Sequence, residues 1–204
     1  MNRPMILLAV VAVLGILVGA FGIGDTIKIM GDDITDLNAT TIGELKTGDL
    51  AQGDLFQAFD EVAVEKTTRS YGGIPTGSSE TPYYLVHVGD HFAVLSCGNK
   101  DIQSKIEKLM DETWDLWESE DMPSSTVFVT TKVIAMPEKV FGYTQDYCEE
   151  WGMTASEFDA LVETDYVLNV VQYNTMKIIP FIGFGVGILC AVIFVVILVK
   201  RKKA

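Results

Sequence analysis

Two uninterrupted apolar segments near the ends of the chain constrain its architecture most strongly. Met5–Gly24 has 20 residues and Ile178–Val199 has 22, and neither contains Asp, Glu, Lys, Arg or His. At a rise of about 1.5 Å per residue, each forms a helix long enough to cross a hydrocarbon layer of about 30 Å. All 28 acidic residues lie between the two segments, from Asp25 to Asp165. The sequence therefore predicts two transmembrane helices flanking one acidic, water-soluble domain.

The basic residues predict how these helices are oriented. Lys200, Arg201, Lys202 and Lys203 directly follow the second segment, and such a cluster favours the cytoplasmic side of a membrane. An even number of spans places the N-terminus on the same side. We therefore expect a multi-pass protein of the cell membrane with both termini in the cytoplasm and the domain outside it. Residues 25–177 carry 28 acidic and ten basic side chains, a net charge of −18.

The first apolar segment also has features of a cleaved signal peptide. Arg3 precedes it, and Val18-Gly19-Ala20 supplies the small residues that signal peptidases require. The apolar part of a signal peptide usually has about 7–15 residues, whereas this segment continues through Gly24. Because of this length we favour a retained anchor. Cleavage would leave one span and the same external domain.

Glycines recur at four-residue spacing in both segments. Gly15 and Gly19 lie in the first, and Gly183 and Gly187 lie in the second. Glycine lets helix backbones approach closely in lipid, which favours either packing of the two spans or self-association of two chains. Glycine is also common in membrane helices without such a role. The predicted partners are therefore the lipid bilayer and a protein, which can be a second copy of the chain.

The region between the spans alternates between strand and helix patterns. The Gly-, Pro- and Ser-rich stretch Tyr71–Pro82 predicts a loop, Gly89-Asp90 predicts a two-residue hairpin turn, and Gly152 predicts a left-handed helix end. In chain order the predicted elements are strands Leu55–Lys66, Tyr83–Val88 and His91–Cys97, helix Asn99–Glu118, strand Thr126–Met136, helix Glu138–Trp151, a short helix opened by the capping box Thr154–Glu157, and strand Tyr166–Tyr173.

This order of elements predicts an α+β fold. Five strands, with a helix between the third and fourth and a helical insertion before the fifth, match the order of an OB-like barrel. A generic α+β sheet with helices on one face is the alternative. The predicted segments are a short cytoplasmic end (1–4), transmembrane helix 1 (5–24), an acidic juxtamembrane linker (25–47), the extracytoplasmic domain (48–173), a short connector with transmembrane helix 2 (174–199) and a basic cytoplasmic tail (200–204).

The cysteines and histidines give only weak site predictions. Cys97 and Cys148 both lie in the external domain, where one disulfide or two buried thiols are the alternatives. Cys190 lies within the second span. In the predicted hairpin, His87 faces Phe92 and Val88 faces His91, so the two imidazoles point to opposite sides of the sheet and do not share a metal ion. The acidic pair Asp32/Asp33 lies in a stretch that fails the EF-hand pattern, which leaves weak cation binding as a minor alternative to a solvated linker.

The sequence shows no motif for a catalytic site, a metal or a cofactor. The P-loop, Gly-x-Ser-x-Gly, His-Glu-x-x-His and Cys-x-x-Cys patterns are absent. The strong negative charge of the domain disfavours nucleic acid, because a nucleic-acid groove must be positive. Trp114 and Trp117, together with Tyr83 and Tyr84, could form a stacking platform. Their position beside an apolar helix stripe favours filling of the core instead.

The run Tyr83–Asp90, followed by a helix that carries Asp111-Glu112-Thr113-Trp114, resembles small two-span bacterial membrane proteins of unknown function. The resemblance covers both spans and the domain, and implies an extracytoplasmic domain without assigned catalytic or binding residues. We therefore expect a membrane-anchored, non-enzymatic binding or scaffold protein of undetermined ligand. The alternatives are an extracytoplasmic enzyme that uses carboxylates and an accessory subunit of a membrane complex.

Overall fold

The computed structural model describes residues 3–31, 34–71, 74–119 and 121–203. These residues form two compact units. One unit combines the two ends of the chain, and the other is residues 34–171. The α+β class and the two long apolar helices at the chain ends are confirmed.

The unit formed by the chain ends consists of two long helices, α1 (Arg3–Met30) and α5 (Tyr173–Lys203). Both continue beyond the predicted spans. Within them, Met5–Met30 and Thr175–Lys200 are each 26 residues long and apolar enough to cross a membrane. Few of their side chains are buried, which differs from the core helix of a water-soluble protein.

Glycines bring α1 and α5 into close contact. A β-carbon added at Gly15 would lie 2.8 Å from the carbonyl oxygen of Gly183, and one at Gly187 would lie 2.8 Å from the backbone nitrogen of Ile16. Gly19 lies against the ring of Phe184. Because a real side chain does not tolerate such distances, the absence of side chains at these glycines permits the close approach of α1 to α5. Thr26 adds a hydrogen bond of 3.0 Å from its hydroxyl to the carbonyl oxygen of Met176.

The described part of residues 34–171 forms a mixed seven-stranded sheet with three helices and a short 3₁₀ turn (Leu37–Ala39). The strand order is β1-β2-β6-β7-β5-β4-β3; β1 with β2 and β5 with β7 are parallel, and the other neighbours are antiparallel. The strands are β1 (Thr35–Asp36), β2 (Leu50–Leu55), β3 (Ala58–Tyr71), β4 (Ile74–Val88), β5 (His91–Ser96), β6 (Val127–Ala135) and β7 (Val162–Val170). The helices are α2 (Lys100–Asp115), α3 (Glu138–Glu150) and α4 (Ala155–Leu161), besides α5, which begins after β7.

The sheet curls so that its two ends approach each other. Strands β2 and β3 lie at opposite sides of the strand order, yet only two residues, Phe56 and Gln57, separate them in the chain. Such a short connection spans at most about 10 Å, so the sheet must bend around its inner face. The main core fills this inner face, with Ile106 and Leu109 of α2 packed against side chains such as Leu95 and Leu168.

The outer face of the same sheet carries α3 and α4. Val140 of α3 packs on Val94 and Val167, while Phe158 of α4 belongs to a second cluster with Leu85 and Phe59. The domain therefore has helical layers on both faces of the sheet. This arrangement places the C-terminal ends of α2 and α3 near the same edge strand, β3.

The OB-like barrel is wrong. The sheet is open, because β3 and β2 do not pair, and it has seven strands among the described residues instead of five. The stretch Leu55–Lys66 was predicted as one strand, but the chain leaves β2 at Leu55 and starts β3 at Ala58. The helix after the third predicted strand and the helical insertion before the last one are both present as predicted.

The predicted loop Tyr71–Pro82 is also wrong, since most of it forms β4, paired antiparallel with β3. Glycine and proline suggested a loop, but this half of β4 extends beyond β5 and pairs on one side only. The carbonyl of Pro82 accepts a bond from the backbone N–H of Cys97, on the side away from β3, so the missing N–H of this proline leaves the β3–β4 pairing intact.

The second half of the predicted acidic linker belongs to the domain. Leu37 and Leu45 are buried in the main core. Gly89 has φ +54°, and a β-carbon there would overlap the carbonyl oxygen of Thr40. The chain around Thr40 therefore lies directly on the β4–β5 turn. Asp32 and Asp33, the acidic pair considered for cation binding, lie outside the described residues.

Candidate ligand-binding site

An aromatic cavity of about 300 Å³ opens at the outer edge of the sheet. Three parts of the domain meet there: the outer face of β3, β4 and β5, the C-terminal end of α2, and the segment from the end of α3 through α4. Its walls combine six aromatic residues with smaller apolar ones and one carboxylate. The lining residues are Phe59, Leu85, Phe92, Trp114, Trp117, Tyr147, Cys148, Trp151, Gly152, Met153, Glu157 and Leu161.

All three tryptophans of the chain line this aromatic cavity. Trp114 and Trp151 stack with their centroids 4.9 Å apart and an angle of 26° between the ring planes. The ring centroid of Trp117 lies 5.2 Å from that of Trp114 and 6.1 Å from that of Phe59, whose ring it meets edge to face. Trp117 and Trp151 are 57 % and 60 % exposed, so their faces are available to a ligand.

Local sequence explains how α2 and α3 present these rings. Trp114 lies in the last turn of α2 and Trp117 in the turn that follows it, while Tyr147 lies in the last turn of α3 and Trp151 is the C-cap residue of that helix. The indole N–H of Trp114 donates to the backbone carbonyl of Phe59 at 2.5 Å, which holds the end of α2 against β3. The half-buried ring of Trp114, with its N–H satisfied, therefore forms part of the cavity wall.

A Schellman motif ends α3 and turns the chain back over the cavity. The N–H of Gly152 bonds to the carbonyl of Glu149, and that of Met153 bonds to the carbonyl of Cys148 at 3.0 Å. Gly152 has φ +85°, as its predicted left-handed position requires. The motif brings Met153 next to Cys148, and both side chains line the cavity.

The predicted capping box places the carboxylate of the cavity. Oε2 of Glu157 accepts bonds from the backbone N–H of Thr154 at 2.8 Å and from its hydroxyl at 2.7 Å. These bonds lower the pKa of Glu157 below its ordinary value, so the group is ionised at neutral pH. Glu157 is the one carboxylate among the lining residues of the described chain.

Burial changes the chemistry of the neighbouring groups. Burial, and secondarily the Asp60 carboxylate, raise the pKa of Tyr147 to about 12. Burial likewise raises the pKa of the Cys148 thiol to about 11. At neutral pH both groups are uncharged, so Glu157 provides the net charge of the cavity wall.

The electrostatic surroundings of the aromatic cavity are negative. Residues 109–131 and 140–176 supply nine of its twelve lining residues without a single Lys, Arg or His, and the same stretches are rich in Asp and Glu. The cavity also lies at the C-terminal ends of α2 and α3, whose last turns carry no basic residue. The C-terminus of a helix bears a partial negative charge, so both helix dipoles add to the negative potential.

The structure separates the two cysteines that the sequence considered as a disulfide. Cys97 and Cys148 are both free and buried. Cys97 belongs to the core of the inner face, and Cys148 belongs to the cluster on the outer face. In this structure the two thiols therefore lie on opposite faces of the sheet, and the disulfide stays a prediction that the structure does not support. Cys190 is a free cysteine of α5.

The histidine geometry is as predicted. His87 pairs with Phe92 and Val88 pairs with His91 around the Gly89-Asp90 turn. His91 is buried on the inner face, whereas the ring of His87 contacts Phe92 edge to face at 5.4 Å. Among the described residues, no group of three or more His, Cys, Asp or Glu side chains could hold a metal ion.

The remaining predicted residues lie away from the aromatic cavity. Gly15, Gly19, Gly183 and Gly187 lie in the α1–α5 pair, and α5 continues through the basic residues Lys200–Lys203. Tyr83 and Tyr84 are buried in different clusters, so they form no platform with the tryptophans. Core filling is also the wrong role for Trp117, because it is mostly exposed.

Sequence reasoning missed the cavity as a site. Trp151, Tyr147 and Met153 were not singled out, and Phe59 was predicted only as part of a strand. A usable signal was present in the two base-free stretches. Both contain a helix whose C-terminal end, with the residues that follow it directly, carries aromatic residues at three- or four-residue spacing. Their convergence could not be read from the chain, because it depends on how α2 and α3 cross the sheet.

Fold and site together define a class of protein with two apolar end helices and one α+β domain that contains an aromatic cavity. The chain belongs to the family described as a domain of unknown function, DUF8577, which matches residues 2–200. The match includes both apolar helices and the whole domain. Neither a curated protein nor a solved structure matches the chain.

Proposed function

We propose that this protein is a membrane-anchored binding protein whose α+β domain captures a small ligand in the aromatic cavity. The observation that carries the proposal is the concentration of all three tryptophans around one open cavity. Its volume of about 300 Å³ lies at the lower end of the range for small-molecule sites, and its lining is mostly apolar and aromatic as in such sites.

A binding role fits the cavity better than an enzymatic role. A general acid or base needs a pKa near the working pH, which usually requires burial of a carboxyl group away from hydrogen-bond donors. The pKa of Glu157 is shifted in the opposite direction by Thr154. The thiol of Cys148 is protonated at neutral pH because its pKa is about 11, which makes it a poor nucleophile.

The proposed location is the cell membrane, with the domain on the extracytoplasmic side. The length and apolarity of α1 and α5 support two spans, and the basic residues after Val199 support a cytoplasmic C-terminus. In this orientation the aromatic cavity samples ligands outside the cell. The anchors keep the domain at the membrane, as expected for a receptor-like or scaffold component.

The cavity is tested with fluorine NMR of the full chain in lipid nanodiscs. Incorporation of 5-fluorotryptophan gives three signals, all from residues that line the cavity. Titration with benzyl alcohol, a small neutral aromatic probe, should shift these signals in a saturable way. Trp151→Leu should weaken this response, whereas Tyr143→Leu should leave it unchanged, because Tyr143 is an exposed aromatic residue of the same helix outside the cavity. Shifts that grow linearly in every variant would overturn the proposal.

The orientation is tested by cysteine labelling in intact cells. Cys97 and Cys148 are buried, so an impermeant maleimide should react with neither in the folded protein. A cysteine in place of the exposed Ser78 of β4 should be labelled, and a cysteine added after the basic residues should be labelled only after lysis. The reverse result would place the domain in the cytoplasm and refute the proposed location.

A further inference from the structure

We infer that the aromatic cavity selects organic ammonium ions, that is, cations whose charge is surrounded by methyl or methylene groups. This inference rests on the proposed binding function and specifies its ligand. Such ions combine an apolar surface with a diffuse positive charge, and the faces of tryptophan rings attract them through their quadrupole.

The walls match both properties of such an ion. Trp117 and Trp151 expose their rings at the cavity, and the ring of Trp114 stacks on that of Trp151. The ring centroid of Tyr147 lies 6.3 Å from that of Trp151. Tryptophan gives the strongest cation–π attraction among the aromatic residues. An apolar wall alone would accept a neutral ligand equally well, so the selectivity must come from charge.

Two features supply a negative charge, and a third leaves it without a competing positive charge. The ionised Glu157 lines the cavity and is held in place by the capping box. The C-terminal ends of α2 and α3 both point their partial negative charge toward this region. The lining residues that the structure describes include no Lys, Arg or His, so an anion finds no counter-charge among them. An anionic or zwitterionic ligand with its carboxylate in the cavity would therefore be repelled.

The size of the cavity sets a further limit. A volume of about 300 Å³ holds a compact head group together with a short substituent, but not a long peptide or a folded domain. Trp117 and Trp151 line the cavity and are mostly exposed, so a substituent of the ion can extend into solvent. We therefore expect small soluble ammonium ions to bind without rearrangement of the domain.

The test compares choline with 3,3-dimethylbutan-1-ol, in which carbon replaces the ammonium nitrogen and the shape is kept. The full chain, labelled with 5-fluorotryptophan, is placed in nanodiscs of an uncharged glycolipid, which carry no ammonium group of their own. We expect choline to bind about tenfold more tightly than the neutral alcohol. Equal affinities would overturn the cation inference and leave the binding function standing, while the absence of saturable shifts with both compounds and with benzyl alcohol would overturn both.

Matched variants separate the ring from the charge. Trp151→Leu should lower the affinity for choline by about tenfold and the affinity for the neutral alcohol by much less, because leucine keeps an apolar wall but has no quadrupole. Glu157→Gln keeps the capping box, because glutamine also serves at this position of the motif. This variant should lower only the affinity for choline. Glu80→Gln, on the β3–β4 pair where Glu80 bonds Lys66, removes the same formal charge and should change neither affinity. Equal effects of the two Glu→Gln variants would contradict the role of Glu157.

Discussion

Trp114 and Trp151 stack at 4.9 Å although they belong to helices on opposite faces of the sheet. Trp114 closes the end of α2, and Trp151 caps α3. The contact is therefore made around the edge strand β3, whose Phe59 carbonyl accepts the indole N–H of Trp114. This one stacked pair joins the inner and outer helical layers, and both of its rings line the aromatic cavity.

The two rings of this pair should contribute unequally to stability. Trp114→Leu removes a hydrogen bond to Phe59 and opens a gap against β3, so it should lower the free energy of unfolding of the domain by about 2–4 kcal/mol. Trp151→Leu acts at a mostly exposed position and should cost about 1 kcal/mol or less. Urea unfolding followed by circular dichroism measures both values. Equal losses would mean that the stack, not the hydrogen bond and burial, determines stability.

The close contact between α1 and α5 should depend on Gly187. Gly187→Leu places a side chain where a β-carbon already meets the backbone of Ile16, so the helices should separate. Gly185→Leu is the matched control, because a β-carbon at Gly185 meets no atom within 4 Å.

Cross-linking of cysteines at Val18 and Ile179, which line one groove of the helix pair, measures this contact. All variants carry Cys190→Ser, so that the two introduced cysteines are the only ones in the helix pair. A short bismaleimide should then cross-link the two helices within one chain, both without a further substitution and with Gly185→Leu, but not with Gly187→Leu. Cross-linked dimers instead of monomers would show that the glycines pair helices of different chains.

The turn at Gly89 should be more sensitive than other left-handed glycines. Gly89→Ala and Gly43→Ala both force alanine into a left-handed backbone, which costs about 1 kcal/mol. Only at Gly89 does the new methyl group also overlap the carbonyl of Thr40. We expect Gly89→Ala to lose about 1–3 kcal/mol more than Gly43→Ala in urea unfolding. A similar loss in both variants would mean that the segment around Thr40 is not held against this turn.

Acid should weaken the attachment of α2 to the segment before β6. Glu112 accepts a bond of 2.7 Å from the hydroxyl of Ser125 and one of 2.9 Å from its N–H, and these bonds lower the pKa of Glu112 from 4.5 to about 2. The ionised carboxylate therefore stabilises the fold at pH values above about 4.5. That contribution is lost as the pH falls from about 4.5 to about 2.

Carbon-13 NMR of the Glu112 carboxyl group follows this titration directly. Ser125→Ala removes the shorter bond and should raise the pKa of Glu112 toward 4.5. Ser104→Ala, at an exposed serine of the same helix, should leave that pKa unchanged. An unchanged pKa in Ser125→Ala would assign the shift to the backbone N–H of Ser125 or to Lys108.

Local patterns predicted the elements whose causes are local. The capping box at Thr154, the left-handed Gly152 and the register of the hairpin at Gly89-Asp90 follow from neighbouring residues, and all three are present. The failed prediction at Tyr71–Pro82 has a non-local cause. Glycine and proline are tolerated in that strand because β4 there has a partner on one side only, and the chain does not reveal how far β5 extends.

The amino-acid sequence by itself determined the two long apolar helices, the acidic domain between them and the helix-capping motifs, because hydropathy and capping depend on residues that are close along the chain. The tertiary structure decided which strands pair, which side of the sheet each cysteine faces, and that three distant tryptophans share one cavity. These outcomes depend on the curl of the sheet and on the crossing of α2 and α3 over its two faces. Both arise from packing between residues far apart in the chain, which no local pattern encodes.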